Sequence, residues 1–305
     1  MNIHLRWCAA IATLMLGLSA HANIVDISGA PAFPDVLDEK VKTSSSTKRD
    51  VVLLGSDLLE IAGALGAYDR IVARPRVAGL DVPDTIPHVF KERPGTEGIM
   101  ALRPSVVIAS NGRFQRLFEQ LNRLGVNTLM IDPFLPANER VIKVAAALNL
   151  EPLGEQLSQN ILNDYKHLPL PDRDAKPLKI IHVSSYGAGG DCSVGGLETP
   201  ADQLIKRVGA VNPAGDIGLN RYRKSTQEGM VLMQPDVILF SIYEVAELGG
   251  VDEIWNYCKG LVYTPAGKNK RIILMRDMHV RAAAASSGIA TRALAEALNK
   301  MFTTP

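Results

Sequence analysis

The sequence predicts an α/β fold of two lobes, each built on a mainly parallel sheet. A single long helix is expected to join the lobes, with a ligand cleft between them. Three observations lead to this prediction. Strand-like and helix-like segments alternate along most of the chain, which favours parallel sheets with right-handed crossovers. One segment occurs twice, and a stretch of sustained helical periodicity separates its two copies.

The duplicated segment defines the two lobes. Residues 96–110 align with residues 227–241 without a gap. In each copy a short helix is expected to end before Pro104 or Pro235, because proline lacks the backbone N–H and disfavours helix at its predecessor. The branched apolar residues that follow indicate a buried parallel strand. Helix then strand, present twice, predicts two Rossmann-like lobes.

Further elements of the first lobe follow in chain order. Strands are expected at 51–54, 70–73, 106–109 and 128–131, and helices at 58–65 and 116–124. Ser56 or Asp57 can cap the first of these helices. The polar, serine-rich run at 38–50 has little to bury and predicts a flexible loop.

The connection and the second lobe come next. Apolar residues recur at helical spacing from 137 to 168, which predicts one helix of about 30 residues, roughly 45 Å long, interrupted only by Pro152. Pro169 and Pro171 close it. Strands are then expected at 179–184, 236–240 and 271–275, and helices at 200–208 and 291–301.

The start of the chain has the features of a secretory signal. Arg6 precedes an apolar run at 7–20, and Ala20-His21-Ala22 is typical of a cleavage site. No lipobox precedes that site, so a free periplasmic protein is expected. The predicted organisation is a signal peptide at 1–22, an N-terminal lobe at 23–134, a connecting helix at 135–169 and a C-terminal lobe at 170–305.

Charge and cysteine content narrow the partners and the compartment. Lys and Arg number 33 against 32 Asp and Glu, and the signs are interspersed, so neither nucleic acid nor an anionic membrane is an expected partner. Two of the three cysteines, Cys192 and Cys258, lie outside the predicted signal. An oxidising compartment favours a disulfide between them.

Candidate ligand-binding residues follow the predicted strands, because ligands of open α/β lobes sit beyond the carboxyl ends of strands. In the first lobe they are Ser56, Arg74, Arg76, Asn111 and Arg113. In the second they are Ser185, Tyr186, Ile242, Tyr243 and residues 277–281. Arginines at such positions can bind ligand carboxylates.

The pattern resembles the helical-backbone class of periplasmic substrate-binding proteins of ABC importers, and its hemin-binding branch in particular. The residues that carry the resemblance are 51–66, Glu97-Gly98, Leu102-x-Pro104, Val211-Asn212, Glu228, 235–239, 249–252 and 264–267. The resemblance implies a monomer that binds haem, an iron compound, and delivers it to an inner-membrane permease homodimer. A ferric siderophore or cobalamin is the alternative ligand within the class.

The resemblance also implies roles for two glutamates. Glu97 and Glu228 occupy equivalent positions in the two copies, and in this class such glutamates dock into arginine pockets on the two permease subunits. Charge-assisted pairs between arginine and carboxylate are directional, so they set the orientation of the docked protein as well as attracting it to the permease.

The sequence leaves several candidates for the residue that ligates the iron. In the hemin-binding branch a first-lobe tyrosine ligates the iron, but no tyrosine lies between Tyr68 and Tyr165. Phe90 stands where that tyrosine is expected. His88, Tyr222 and His279 are therefore the candidate ligands, since histidine also ligates haem iron.

Enzymatic signatures are missing from the sequence. It contains no G-x-S-x-G elbow and no H-E-x-x-H motif, and its glycine run at 187–190 lacks the G-x-G-x-x-G spacing of a dinucleotide site. We therefore expect no catalysis and no cofactor other than the transported ligand. An exported enzyme on a similar scaffold is the less favoured hypothesis.

Overall fold

The computed structural model describes residues 24–34, 48–77, 79–171, 176–185 and 192–303. The expected signal at 1–22, most of the expected loop at 38–50, Tyr186 and the glycine run lie outside the described residues.

Two sheets organise the described chain. The first has the order β4-β3-β2-β5-β6, and all its strands are parallel. The second has the order β1-β11-β10-β7-β8-β9, in which β8 and β9 run antiparallel to their neighbours. The strands are β1 (Ile24–Asp26), β2 (Val51–Leu54), β3 (Ile71–Pro75), β4 (His88–Phe90), β5 (Val106–Ala109), β6 (Thr128–Met130), β7 (Ile180–Ser184), β8 (Ser193–Gly195), β9 (Tyr222–Lys224), β10 (Val237–Ser241) and β11 (Ile272–Met275).

Helices pack on the sheets and confirm the predicted α/β class. They are α1 (Ser56–Ala64), α2 (Thr96–Ala101), α3 (Gln115–Arg123), α4 (Ala137–Ala147), α5 (Glu151–Asp164), α6 (Pro200–Arg207), α7 (Gln227–Met233), α8 (Ile242–Leu248), α9 (Glu253–Tyr257), α10 (Pro265–Lys268), α11 (Asp277–Arg281) and α12 (Ser287–Thr303).

The structure reproduces the duplicated segment in backbone detail. Helix α2 leads into β5, and α7 leads into β10. Arg103 and Gln234, the residues before the two prolines, both adopt left-handed backbone, with φ of 48° and 44°. Because the residue before proline is hindered in right-handed helix, this turn ends both helices at the same place. The duplication is therefore a duplication of structure as well as of sequence.

The connection between the lobes differs from the single long helix expected at 135–169. It consists of two helices, α4 and α5, that pack against each other as a hairpin: a Cβ added to Gly154 would lie 2.3 Å from the Cβ of Ala145. Asn149, in the turn between them, has a φ of 54°. Pro152 lies in the first turn of α5, where a missing N–H costs no helical hydrogen bond.

The N-terminal boundary also needs correction. Strand β1 pairs in parallel with β11 at the edge of the second sheet, and the Ile27 N–H donates to the Leu274 carbonyl over 2.9 Å. Strand β1 therefore belongs with the sheet of the C-terminal lobe, although the sequence predicted an N-terminal lobe beginning at residue 23; further along the segment, Phe33 packs against the core of the first lobe.

The lobes are fastened to each other by buried contacts. Met278 and Ala282 of the second half pack into the hydrophobic core of the first lobe. Arg140 on α4 donates to the Ala283 carbonyl over 2.7 Å, and Glu60 on α1 accepts from the Ser286 N–H over 2.5 Å. Interfaces of this kind favour small hinge motions over wide opening.

Candidate ligand-binding cleft

A cavity of about 920 Å³ lies between the lobes, at the carboxyl ends of first-lobe strands. Its volume is in the range of small-molecule and cofactor sites. The first lobe contributes the residues after β2, β5 and β6, and the second lobe contributes the turn before α6, the start of β9 and the end of α11. The lining polar residues are Ser56, Asp57, Ser110, Asn111, Arg113, Asp132, Arg140, Glu198, Thr199, Arg221, Tyr222 and Arg281.

The first-lobe wall is organised by a buried ion pair. Asp57 pairs with the guanidinium of Arg140 and also accepts from the Ser110 hydroxyl over 2.7 Å. Burial lowers the pKa of Arg140 to about 10, so the guanidinium stays charged at neutral pH. Gly55 makes this arrangement possible, because a Cβ there would lie 2.5 Å from Ser110 Oγ and 2.6 Å from Asp57 Oδ1.

The second-lobe wall is organised by Arg281. Its Nη2 lies 2.6 Å from Glu244 Oε1, and its Nε lies 2.7 Å from Asp277 Oδ1. Glu244 is fully buried. Burial raises the pKa of Asp277, an effect that the Arg281 charge opposes. The guanidinium carbon of Arg281 lies 5.3 Å from the ring centroid of Tyr222, within cation–π range.

Tyr222 presents its ring to the cleft and shares a hydrogen bond with His182. The hydroxyl lies 2.8 Å from Nδ1 of His182, a fully buried side chain on β7. Burial holds the pKa of His182 well below its usual range, so the imidazole is neutral. Burial also raises the pKa of the Tyr222 phenol, while Arg281 opposes that rise.

Several of the predicted ligand residues do line cavities. Arg113 and Tyr222 line the main cavity together with Ser56 and Asn111. Arg76 lines a second cavity of about 450 Å³. Leu54, Gly55, Ser56 and Arg113 border both cavities, so the two lie side by side.

Other predicted ligand residues lie elsewhere. His88 is an exposed residue on the edge strand β4 and borders neither cavity. Arg74 is half-buried and donates to the Pro75 carbonyl over 3.4 Å. Tyr243 packs against the first lobe, where a Cβ on Gly79 would lie 2.8 Å from its ring.

His279 is structural. Its side chain is 2% exposed, and Nε2 lies 3.0 Å from the Pro31 carbonyl oxygen. Burial lowers its pKa to about 4. The ring holds the segment after β1 onto the second lobe and is not available to a ligand in the cleft. Iron ligation by His279 is therefore not supported by its position.

Three prominent cleft residues are not among the candidates that the sequence predicts. Arg140 lies in the segment for which the sequence predicts only a long helix between the lobes. Met130 is the last residue of β6. Glu198 pairs with Arg221 in the second lobe, and Glu198 Oε2 lies 4.0 Å from Arg221 Nε. The strand-end rule applied to the predicted strand at 128–131 would have found Asp132, which also lines the cleft; no local signal marks Met130 or Arg140.

The paired glutamates lie where the duplication predicts. Glu97 and Glu228 are both exposed, each in the first turn of its helix, α2 or α7. Thr226 caps α7 by accepting from the Gly229 N–H over 3.1 Å. This placement leaves both carboxylates accessible to a partner protein.

Two α/β lobes that enclose a polar cleft between them define a ligand-binding protein. The chain belongs to the periplasmic binding protein family, whose model matches residues 51–278. Members of this family work with an ABC permease, and the protein is assigned to the periplasm. Among the described residues, no helix combines the length and the apolar character needed to cross a bilayer.

Solved structures extend the comparison. The periplasmic heme-binding protein RhuT of Roseiflexus sp. RS-1 in apo form is 27% identical, with a TM-score of 0.72, over 83% of this chain and 99% of RhuT. The periplasmic heme-binding protein HutB of Vibrio cholerae is 27% identical, with a TM-score of 0.68, over 83% of this chain and 98% of HutB. A search of curated protein sequences finds no match.

Proposed function

We propose that the protein captures haem in the periplasm and delivers it to an inner-membrane ABC permease, without catalysing a reaction. The observation that carries the proposal is the position of Tyr222 on the wall of the cleft between the lobes, with the Arg281 guanidinium over its ring. A phenolate is a known ligand of haem iron. Burial raises the pKa of the Tyr222 phenol and the Arg281 charge only partly opposes that rise; coordination to ferric iron would supply the further positive charge that stabilises the phenolate.

Two further observations support haem as the ligand. The cleft volume of about 920 Å³ suits a large cofactor-sized molecule. RhuT and HutB, both described as heme-binding, match this chain along almost their whole length. The predicted signal at 1–22 belongs to the same proposal, because export brings the protein to the compartment in which it works.

Delivery is proposed to use the paired glutamates. Glu97 and Glu228 extend from equivalent helices of the two lobes, so they suit two equivalent subunits of a permease homodimer. The binding protein is proposed to act as a monomer, because one chain already carries both docking residues.

The test is a titration of the apo-protein with hemin. We expect a saturable Soret band at one-to-one stoichiometry with the ferric spectrum of phenolate ligation. Tyr222→Phe should abolish that signature, whereas Tyr263→Phe, which changes an exposed tyrosine outside the cleft, should leave it intact. Failure of hemin to bind, with tight binding of a ferric siderophore or cobalamin instead, would refute the haem assignment and favour the alternative.

A further inference from the structure

Three exposed apolar side chains of the second lobe lie around helix α7. Leu232, in the last turn of α7, is 70% exposed, the highest value among the large apolar side chains that the structure describes. Val262 and Tyr263 belong to a short 3-10 turn at Leu261–Tyr263 and are 40% and 57% exposed. Single exposed apolar residues are common on soluble proteins, whereas neighbouring ones mark an interaction surface.

The segment that contains this 3-10 turn packs against α7. A Cβ on Gly260, just before the turn, would lie 2.5 Å from the carbonyl oxygen of Gln227, the first residue of α7. Just beyond the turn, the Ala266 N–H donates to the carbonyl of Pro235, two residues after α7, over 2.8 Å. Because the segment makes contact near both ends of α7, its exposed side chains and Leu232 lie on the same part of the surface.

The apolar patch formed by Leu232, Val262 and Tyr263 adjoins Glu228. Glu228 and Leu232 are four residues apart on α7, so both side chains project from one face of the helix. Met230 is buried in the core of the second lobe, on the other side of α7. The patch residues border neither the cleft nor the second cavity. The patch therefore extends the proposed docking surface and not the ligand site.

The first lobe differs at the position equivalent to Leu232. The gap-free alignment pairs Leu232 with Ala101, the last residue of α2, and pairs Glu228 with Glu97. Ala101 is exposed as well. The duplication thus keeps the carboxylate in both copies, whereas the exposed residue one turn further along is large and apolar only in the second copy.

We propose that the apolar patch packs against the periplasmic surface of the ABC permease, beside the contact that Glu228 makes. The inference rests on the proposed function and extends its docking step. Protein interfaces combine an apolar, often aromatic centre with polar and charged groups around it. Burial of the patch supplies affinity, while the glutamates set orientation. A second copy of this chain fits the patch less well, because pairing two patches would bring two like-charged Glu228 side chains together.

The test measures co-sedimentation of the protein with vesicles that contain the permease, and hemin uptake into the same vesicles. Leu232→Ser/Tyr263→Ser is expected to bind these vesicles about tenfold more weakly than the wild type, because two apolar side chains lose their buried contacts. Its affinity for hemin should be unchanged. Added salt should not reduce the difference between the double variant and the wild type, because screening acts on charges and not on apolar contacts.

Ala101→Ser is the matched control, because it introduces the same residue at the equivalent exposed position of the first lobe. It should bind the vesicles as the wild type does. Wild-type binding by the double variant, or equal binding of the wild type to vesicles without the permease, would overturn the patch as a permease contact. Wild-type dimers in analytical ultracentrifugation that the double variant loses would assign the patch to a second copy instead.

The proposed function can fail separately from the patch. Patch-dependent binding to the permease vesicles without any uptake of hemin would refute haem delivery and leave the patch in place. No binding of the wild type to the permease vesicles would overturn both.

Discussion

The Tyr222 hydroxyl lies 2.8 Å from Nδ1 of His182, and the two rings meet edge to face at 89°. His182 is fully buried on β7, whereas Tyr222 begins β9 at the cleft. The strand β8 lies between β7 and β9 in the second sheet. The hydrogen bond therefore ties the proposed iron ligand to the interior of its lobe across an intervening strand.

This relationship predicts an energetic coupling between the two side chains. His182→Phe should destabilise the apo-protein by about 1–3 kcal/mol, because the Tyr222 hydroxyl loses its buried partner. Tyr222→Phe combined with His182→Phe should cost about 1 kcal/mol less than the sum of the single changes. Urea unfolding of the four proteins measures this coupling. Strict additivity would show that the hydrogen bond contributes nothing.

Glu60 predicts a pH dependence of stability. Burial raises its pKa from 4.5 to about 8, and its hydrogen bonds to Ser286 only partly oppose this rise. The folded state therefore holds a proton between about pH 4.5 and pH 8 that the unfolded state releases. The contribution of Glu60 to the free energy of unfolding is therefore fully present below about pH 4.5. It falls by up to about 1.4 kcal/mol per pH unit as pH rises from about 4.5 to about 8.

The measurement is urea unfolding of wild type and Glu60→Gln from pH 5 to pH 9. Glutamine keeps a carbonyl acceptor for the Ser286 N–H but does not titrate. The variant is expected to gain stability relative to wild type as pH rises through this window. Parallel stability curves for the two proteins would contradict the assignment of a neutral Glu60.

The positions of Glu97 and Glu228, away from the cleft, predict that their variants lose delivery to the permease but still bind hemin. Glu97→Lys or Glu228→Lys should abolish uptake into vesicles that contain the permease, because a lysine repels the arginine pocket it should meet. Hemin affinity should stay unchanged, since neither residue borders the cleft. Glu155→Lys, which reverses an exposed charge on α5, is the control and should support normal uptake. Loss of hemin binding in both docking variants would contradict the separation.

Sequence patterns predicted the sheets better than the site. The strands at 51–54 and 106–109 match the structure to the residue, because their continuous apolar runs are buried on both faces. The strand β1 has three residues and pairs with β11, far away in sequence, so no local pattern marks it. The periodicity of α4 continues into α5, which concealed the hairpin between them.

Site residues were harder to predict because cleft geometry depends on long-range packing. Tyr222 and Arg113 were identified and do border the cleft. His88 and His279 have suitable chemistry but lie on an edge strand and beneath the segment after β1, respectively. Arg140 reaches the cleft only because α4 folds back along the first lobe, a contact that single-sequence reasoning does not reveal.

Cys192 and Cys258 form a disulfide with Cα atoms 5.2 Å apart and a sequence separation of 66. Closing a loop of that length restricts the unfolded chain and contributes about 4 kcal/mol of stability. The backbone carbonyl of Cys192 also accepts from the Ser225 N–H, just beyond β9, over 3.1 Å. The disulfide therefore holds in place a residue that contacts the end of the strand beginning with Tyr222. Cys192→Ala/Cys258→Ala should therefore lower the urea midpoint and weaken hemin binding, whereas the wild type should show both changes only after reduction. Alkylation of both thiols in folded, unreduced protein, detected by intact mass, would show that the bond is not formed.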